Sequence, residues 1–334
     1  MAGVMVTAVD TSVVVLAIPA LQAELHVGLA SVVWVVSAYL LALTLLATQA
    51  GRLGDMFGRV RMYEGGLVVF VVGSALCACA WDQASLVGFR VLQGVGGAMV
   101  ASNSGAVLAE LFPRDQRGRA FGYNSVAWSA GAVVGVLVGG VVVTWTSWRW
   151  IFWINVPIGL AAAAGCLWAL SQAPGRQRHC LDLAGMATLG SGLLGVLWAA
   201  TELTAAAPDP WILFCLVGGV GLLAAFFWVE RGQEEPMLQL SLFRLPAMAP
   251  ALLACLLQGL ANFSVLFLVV TYLQGPCRLS PLQASMLLVP GYVIGGLVGP
   301  AAGRMVDRVG PLAPATLGLS VQVVALFLFT HLST

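Results

Sequence analysis

The chain has 334 residues, 60% of them apolar and only 9% charged, with a net charge of +1 and a mean hydropathy of +0.95. A water-soluble domain carries about 25% charged residues, so this sequence cannot cover a water-facing surface. It has no basic tail or zinc spacing, which excludes nucleic acid as a partner, and its seven scattered cysteines, without a CxxC, read as small apolar residues rather than metal ligands.

Apolar runs of about twenty residues, long enough to cross a bilayer, follow one another along the chain. Eleven spans are expected, at 2–22, 32–50, 62–80, 84–108, 120–143, 150–171, 183–203, 210–229, 248–272, 282–302 and 312–331. The fold class is therefore an all-α polytopic membrane protein. All fifteen cationic residues are arginine. With the N-terminus inside, the connections at 51–61, 109–119, 172–182, 230–247 and 303–311 hold twelve of them, the opposite connections hold Arg149 and Arg278, and Arg90 lies within a span. Positive residues collect in cytoplasmic connections, so a cytoplasmic N-terminus is expected. The least apolar stretch, 230–246, suggests a boundary: residues 1–172 as a six-helix bundle, 173–235 as two inserted helices and 236–334 as part of a second bundle.

Along the chain, Asp10 interrupts the first span. A carboxylate inside a span is a functional candidate by default: it can take up and release a proton, or attract a cationic substrate. The alternative is a structural acid bonded to its serine and threonine neighbours. After the second span comes a charged turn with Gly51, Gly54, Asp55, Gly58, Arg59 and Arg61. Its glycines permit a sharp turn and close backbone approach. Asp55 can meet the positive N-terminal end of a neighbouring helix and pair with Arg59 four residues on, making a conformational latch; the alternative is a solvated loop.

In the fourth span Arg90, Gln93, Gly94 and Gly97 share one helical face. Burying an arginine in a span costs about 2.5–3.5 kcal/mol on insertion scales, so Arg90 should point inward to a partner or water unless it snorkels to the membrane edge. The fifth span holds Gly131, Gly135, Gly139 and Gly140, a spacing that lets helices pack closely. Trp148, Trp150 and Trp153 open the sixth span, where tryptophans anchor a helix at the headgroups. Asp182 and Gly185 open the seventh. In the ninth, Gln258 and Asn262 lie four apart and either line a substrate path opposite Asp10 or bond to backbone across helices. Trp34, Tyr39, Trp128, Phe263 and Phe267 are candidates to stack on flat cations. The tenth span carries a ridge of Gly291, Gly295, Gly299 and Gly303, and then repeats the charged-turn spacing with Gly303, Asp307, Arg308 and Gly310.

Taken together, these segments resemble the major facilitator superfamily, and within it the fourteen-span drug:proton antiporters. The turn Gly51–Arg61 is similar to the family signature G-x-L-x-D-x-x-G-R-x-R. Residues 90–97 are similar to R-x-x-Q-G-x-G-x, and residues 10–19 to D-x-T-I-V-N-V-A-L-P, with Ser12 for the threonine and Val15 for the asparagine. Residues 131–140 resemble G-x-x-x-G-P-x-x-G-G with Val136 at the proline position, and residues 148–157 the run W-R-W-x-F-x-I-N-x-P. The resemblance implies substrate handling between two repeats at the bilayer midplane, with Arg90 and Asp10 in proton coupling and Gln93 beside the substrate path.

The function expected is proton-coupled efflux of amphipathic or cationic small molecules across the cytoplasmic membrane, with protons and the substrate as partners and no cofactor. Enzymatic readings find no support: Gly94–Gly97 lacks the following lysine of a phosphate loop, and His26, His179 and His331 are the only histidines. Two alternatives stand beside it. One is a truncated, non-transporting membrane fragment, since fourteen spans need about three more helices than the eleven counted from hydropathy. The other is a symporter or facilitator of a specific metabolite, favoured by Val136.

Overall fold

The computed structural model describes residues 1–113, 116–169, 182–205, 209–233, 235–238, 240–246 and 248–329. His179 and His331 lie outside them. The helices are α1 (Ala2–Leu25), α2 (Leu29–Phe57), α3 (Arg59–Ala78), α4 (Gln83–Leu111), α5 (Arg117–Trp145), α6 (Arg149–Trp153), α7 (Asn155–Ala169), α8 (Leu183–Ala205), α9 (Pro210–Glu230), α10 (Met248–Gln274), α11 (Pro281–Val309) and α12 (Leu312–Phe329). Ten helical stretches among the described residues are long and apolar enough to cross a membrane, counting Arg149–Trp168 as one, and Leu312–Leu328 is a shorter apolar helix. The protein is an all-α polytopic membrane protein.

The sixth span is divided at Ile154. Pro157, third in α7, has no N–H to return to the carbonyl of Trp153, and the backbone takes a turn there.

The two charged turns are corrected. Gly51, Gly54 and Asp55 are not in a loop: α2 stays helical to Phe57, and the chain breaks only at Gly58, whose φ of 104° favours glycine. Likewise α11 runs through Gly303, Asp307 and Arg308 and breaks at Gly310, with φ 83°. Both helices have 29 residues. Charged side chains on a last turn that leaves the lipid do not need an irregular backbone, so charge alone marks the membrane edge rather than the helix end.

Small residues set the packing. On α4, a methyl added at Gly94 would lie 2.7 Å from the carbonyl oxygen of Tyr39 in α2, and one at Gly96 would lie 2.3 Å from the amide nitrogen of Phe70 in α3. Helix α5 has two such faces. Gly131 and Gly135 meet the carbonyls of Met5 and Val9 in α1, and Gly139 meets Val13, whereas Gly140 meets Ser285 of α11. The α11 ridge is Gly296, Gly299 and Gly303, set against Ser129, Ser125 and Gly118 of α5; Gly291 faces open space and Gly295 makes only an ordinary contact. The ridge is therefore spaced three and then four residues, as one face of a helix with 3.6 residues per turn requires, so that Gly296 takes the place expected for Gly295. Helices α8 and α9 pair through Gly192, Gly195 and Gly219, and α8 leans on α2, where Gly190 faces Leu45.

Candidate functional site

Five helices converge on Asp10. The Arg90 guanidinium reaches from α4 and donates through Nη1 to Asp10 Oδ2 at 2.7 Å. Gln93, one turn further along α4, donates from Nε2 to Asp10 Oδ1 at 2.9 Å, and Asn155 of α7 donates to the same oxygen at 2.9 Å. The carboxylate therefore holds three side-chain donors. Arg90 also donates through Nε to the carbonyl of Val35 in α2 at 3.0 Å and through Nη1 to Gln93 Oε1 at 2.7 Å. Its guanidinium lies over the Tyr39 ring, 4.4 Å from the centroid, and 5.7 Å from that of Phe152, an arrangement that stabilises a desolvated cation. Ser74 of α3 closes the cluster: it accepts from Asn155 Nδ2 at 3.2 Å and donates to the Phe152 carbonyl at 2.9 Å.

The cluster is sealed. Asp10, Gln93, Ser74 and Asn155 are fully buried and Arg90 is 1% exposed. Arg90 points into the bundle and does not snorkel. Asp10 is not bonded to its hydroxyl neighbours, because Thr11 donates to the Thr7 carbonyl and Ser12 to that of Ala8, each at 2.8 Å. A buried ion pair is weak evidence for stability, but removing one partner leaves an uncompensated charge and typically costs about 3–5 kcal/mol. The carboxylate thus ties α1 directly to α4 and α7.

Sequence reasoning missed four members. Asn155 and Phe152 lie in the tryptophan run read as an anchor, and Tyr39 was placed among drug-stacking aromatics. Ser74 gave no signal. The anchor reading also needs correction for Trp148, which is 1% exposed and packs edge-to-face with Phe152, while Trp150 and Trp153 do face outward.

The structure divides the latch residues. Asp55 pairs with Arg59 at 2.8 Å, and Arg59 also reaches Glu110 at 2.9 Å; the helix N-terminus expected for Asp55 is instead met by its counterpart Asp307, which accepts from the backbone of Gly118 and Arg119 at the start of α5. Gly54 lies against Asn103 of α4 and Gly51 makes only a distant contact with Ser102. Arg61 and Arg308 are exposed, Arg308 lining a recess with Arg119, Tyr123 and Arg304. Gln258 and Asn262 are exposed on α10 and do not join the Asp10 cluster.

A family model, that of the Major Facilitator Superfamily, matches residues 1–334. The chain belongs to the Major Facilitator Superfamily. Among its relatives, the "Uncharacterized MFS-type transporter Rv1250" of Mycobacterium tuberculosis is 35% identical over 330 residues, covering 98% of this chain and 56% of that protein. The "Tetracenomycin C resistance and export protein" of Streptomyces glaucescens is 32% identical over 329 residues, covering 97% of this chain and 61% of its own length. The chain therefore spans somewhat over half the length of these superfamily relatives. A structure of the proton:xylose symporter XylE aligns with a TM-score of 0.62 at 14% identity, covering 92% of this chain and 67% of that one, which shows the major facilitator fold.

Proposed function

We propose that this superfamily member works as a proton-coupled exporter of amphipathic or cationic small molecules, of the fourteen-span drug:proton antiporter type, with its N-terminus in the cytoplasm. The observation that carries the reading is the Asp10–Arg90 pair, buried completely yet held by donors from separate helices. Protonation of Asp10 removes the charge that holds Arg90, and the guanidinium keeps Val35 and Gln93 as partners. The helices that the carboxylate ties together are then free to rearrange. A proton reaches so enclosed a group only when the bundle opens, so proton exchange is linked to conformation. The electrical part of the driving force is about 2.3 kcal/mol per charge per 100 mV.

In the same reading residues 1–172 form the first bundle, 173–235 an inserted pair and 236–334 part of the second. The α5–α11 seam joins the two bundles, Asp307 biases which side is open, and Gln258 and Asn262 face the path from the second bundle. A relative named for tetracenomycin C resistance and export supports the export of a small molecule. One observation favours a symporter instead: α5 is a single helix of 29 residues with Val136, fully buried, at the position where the antiporter pattern has proline.

Proteoliposomes with an imposed pH gradient and a panel of lipophilic cations test both. Antiport gives substrate-driven proton movement opposite to the drug, symport gives movement with it, and a non-transporting fragment gives neither. Asp10→Asn is expected to insert in the membrane but lose the coupled flux; undiminished coupling would remove Asp10 from the mechanism.

A further inference from the structure

A second buried acidic pair lies well away from Asp10, where the α8–α9 hairpin meets the end of α2. Asp182 precedes α8 and is 4% exposed; Glu230 ends α9 and is 2% exposed. Asp182 Oδ1 accepts from the Gly185 backbone at 2.7 Å and its Oδ2 from Met237 at 3.4 Å, while Glu230 Oε2 accepts from Leu238 at 2.9 Å. Among the described residues Glu230 Oε1 has no donor. A methyl added at Gly185 would lie 2.7 Å from that oxygen and 2.3 Å from Asp182 Oδ2, so both oxygens crowd the same glycine, and the Glu230 side chain interacts with that of Asp182. Among the described residues the charged groups bearing on Glu230 are Asp182 itself and Arg52 of α2, whose guanidinium donates to the carbonyl of Pro236; half-buried Glu235 lies in the same connection.

Two neighbouring carboxylates out of water disfavour each other's ionisation, and burial, followed by the Asp182 carboxylate beside it, raises the Glu230 carboxyl above its ordinary range. We infer that Asp182 and Glu230 form a proton-binding site, one shared proton joining the two carboxyls and fastening the 235–238 connection against α2. One proton taken from solution converts one carboxylate to a carboxyl. Its O–H donates to the facing oxygen and satisfies the orphaned Oε1, and the pair passes from two negative charges to one, which Arg52 offsets. Gly185 is required because any side chain there would occupy the space of the two oxygens. The site is independent of the transport reading, since it needs only the docked hairpin.

Linkage gives the sign. The docked state holds a proton that the undocked acids release, so docking weakens as pH rises until that proton has left, and then levels off. Amide hydrogen exchange on the full chain in detergent, corrected for intrinsic base catalysis, reads this at Met237 and Leu238. Their protection is expected to fall at least about fivefold in the wild type as pH rises from the ordinary carboxylate range, about 4, until the raised carboxyl has lost its proton, and to stay flat in Glu230→Gln and in Asp182→Asn, whose amides supply a permanent donor. Should either variant fail to fold, infrared spectra of the wild type serve: a protonated-carboxyl C=O stretch that persists above the ordinary carboxylate range is expected to disappear on the same pH scale as the protection. A wild-type profile that coincides with those of the variants, the absence of that stretch, or protection at high pH restored by sodium or calcium ions instead of protons would overturn the proposal.

Discussion

The Asp307 carboxylate accepts from the backbone N–H of Gly118 at 3.0 Å and from that of Arg119 at 3.1 Å, so the end of α11 caps the start of α5. Asp55, which stands at the matching place in α2, spends its charge on Arg59 of the next turn. The two copies of one sequence pattern therefore do different work in this conformation. An N-terminal cap is worth about 0.5–2 kcal/mol, whereas a half-exposed pair four residues apart is worth about 0.3–0.5 kcal/mol. Asp307→Ala is expected to lower the thermal unfolding temperature in detergent clearly more than Asp55→Ala; the reverse ranking would reassign the latch to the first copy.

The buried pair makes a non-additive prediction. Asp10→Asn alone leaves Arg90 charged without its counterion, and Arg90→Gln alone leaves Asp10 so; each is expected to cost about 3–5 kcal/mol. The double variant leaves no net buried charge and is expected to cost less than the sum of the two by well over 1 kcal/mol. Denaturant titration of the four proteins measures this. Additive losses would mean that the 2.7 Å contact contributes nothing specific.

Much of the architecture is legible from hydropathy, because a span needs only the summed apolarity of its side chains. The eleven runs map onto α1–α12 with edges moved by a few residues, α6 and α7 sharing one run. Helix rotation is not legible in the same way, since it depends on which small residues from different helices meet. Hence Gly296, not Gly295, faces α5, and Asn155 reaches an acid 145 positions earlier. The shared face of Arg90 and Gln93 was visible from spacing, while Ser74 carries no local mark because its role comes only from standing between Asn155 and Phe152.

Glycine positions separate packing from helix propensity. An alanine methyl at Gly135 would lie 2.7 Å from the Val9 carbonyl oxygen, a backbone atom that cannot rotate away, whereas Gly218 has nothing within 4 Å. Overpacking costs about 1–3 kcal/mol, and replacing an unhindered helical glycine by alanine gains up to about 1 kcal/mol. Gly135→Ala is expected to destabilise the protein and Gly218→Ala to be neutral or stabilising in thermal scans. Equal effects would show that α1 and α5 are not held at glycine distance.

Asn155 separates a structural from a positioning role. Its amide donates to Asp10 Oδ1 and to Ser74, and its own Oδ1 is buried without a donor among the described residues. Asn155→Ala removes a hydrogen bond to a charged group, worth about 1.5–3 kcal/mol, but leaves the Arg90 contact in place. Asn155→Ala is therefore expected to insert and fold, to lose part of its stability and, under the proposed proton-coupled function, to move the pH profile of coupled flux, because Asp10 keeps two of its three donors. Ser74→Ala touches Asp10 only through Asn155 and should shift that profile less. If Asn155→Ala lowers stability while the pH profile of flux stays where it was, Asn155 braces α7 against α1 and takes no part in setting the carboxyl's protonation.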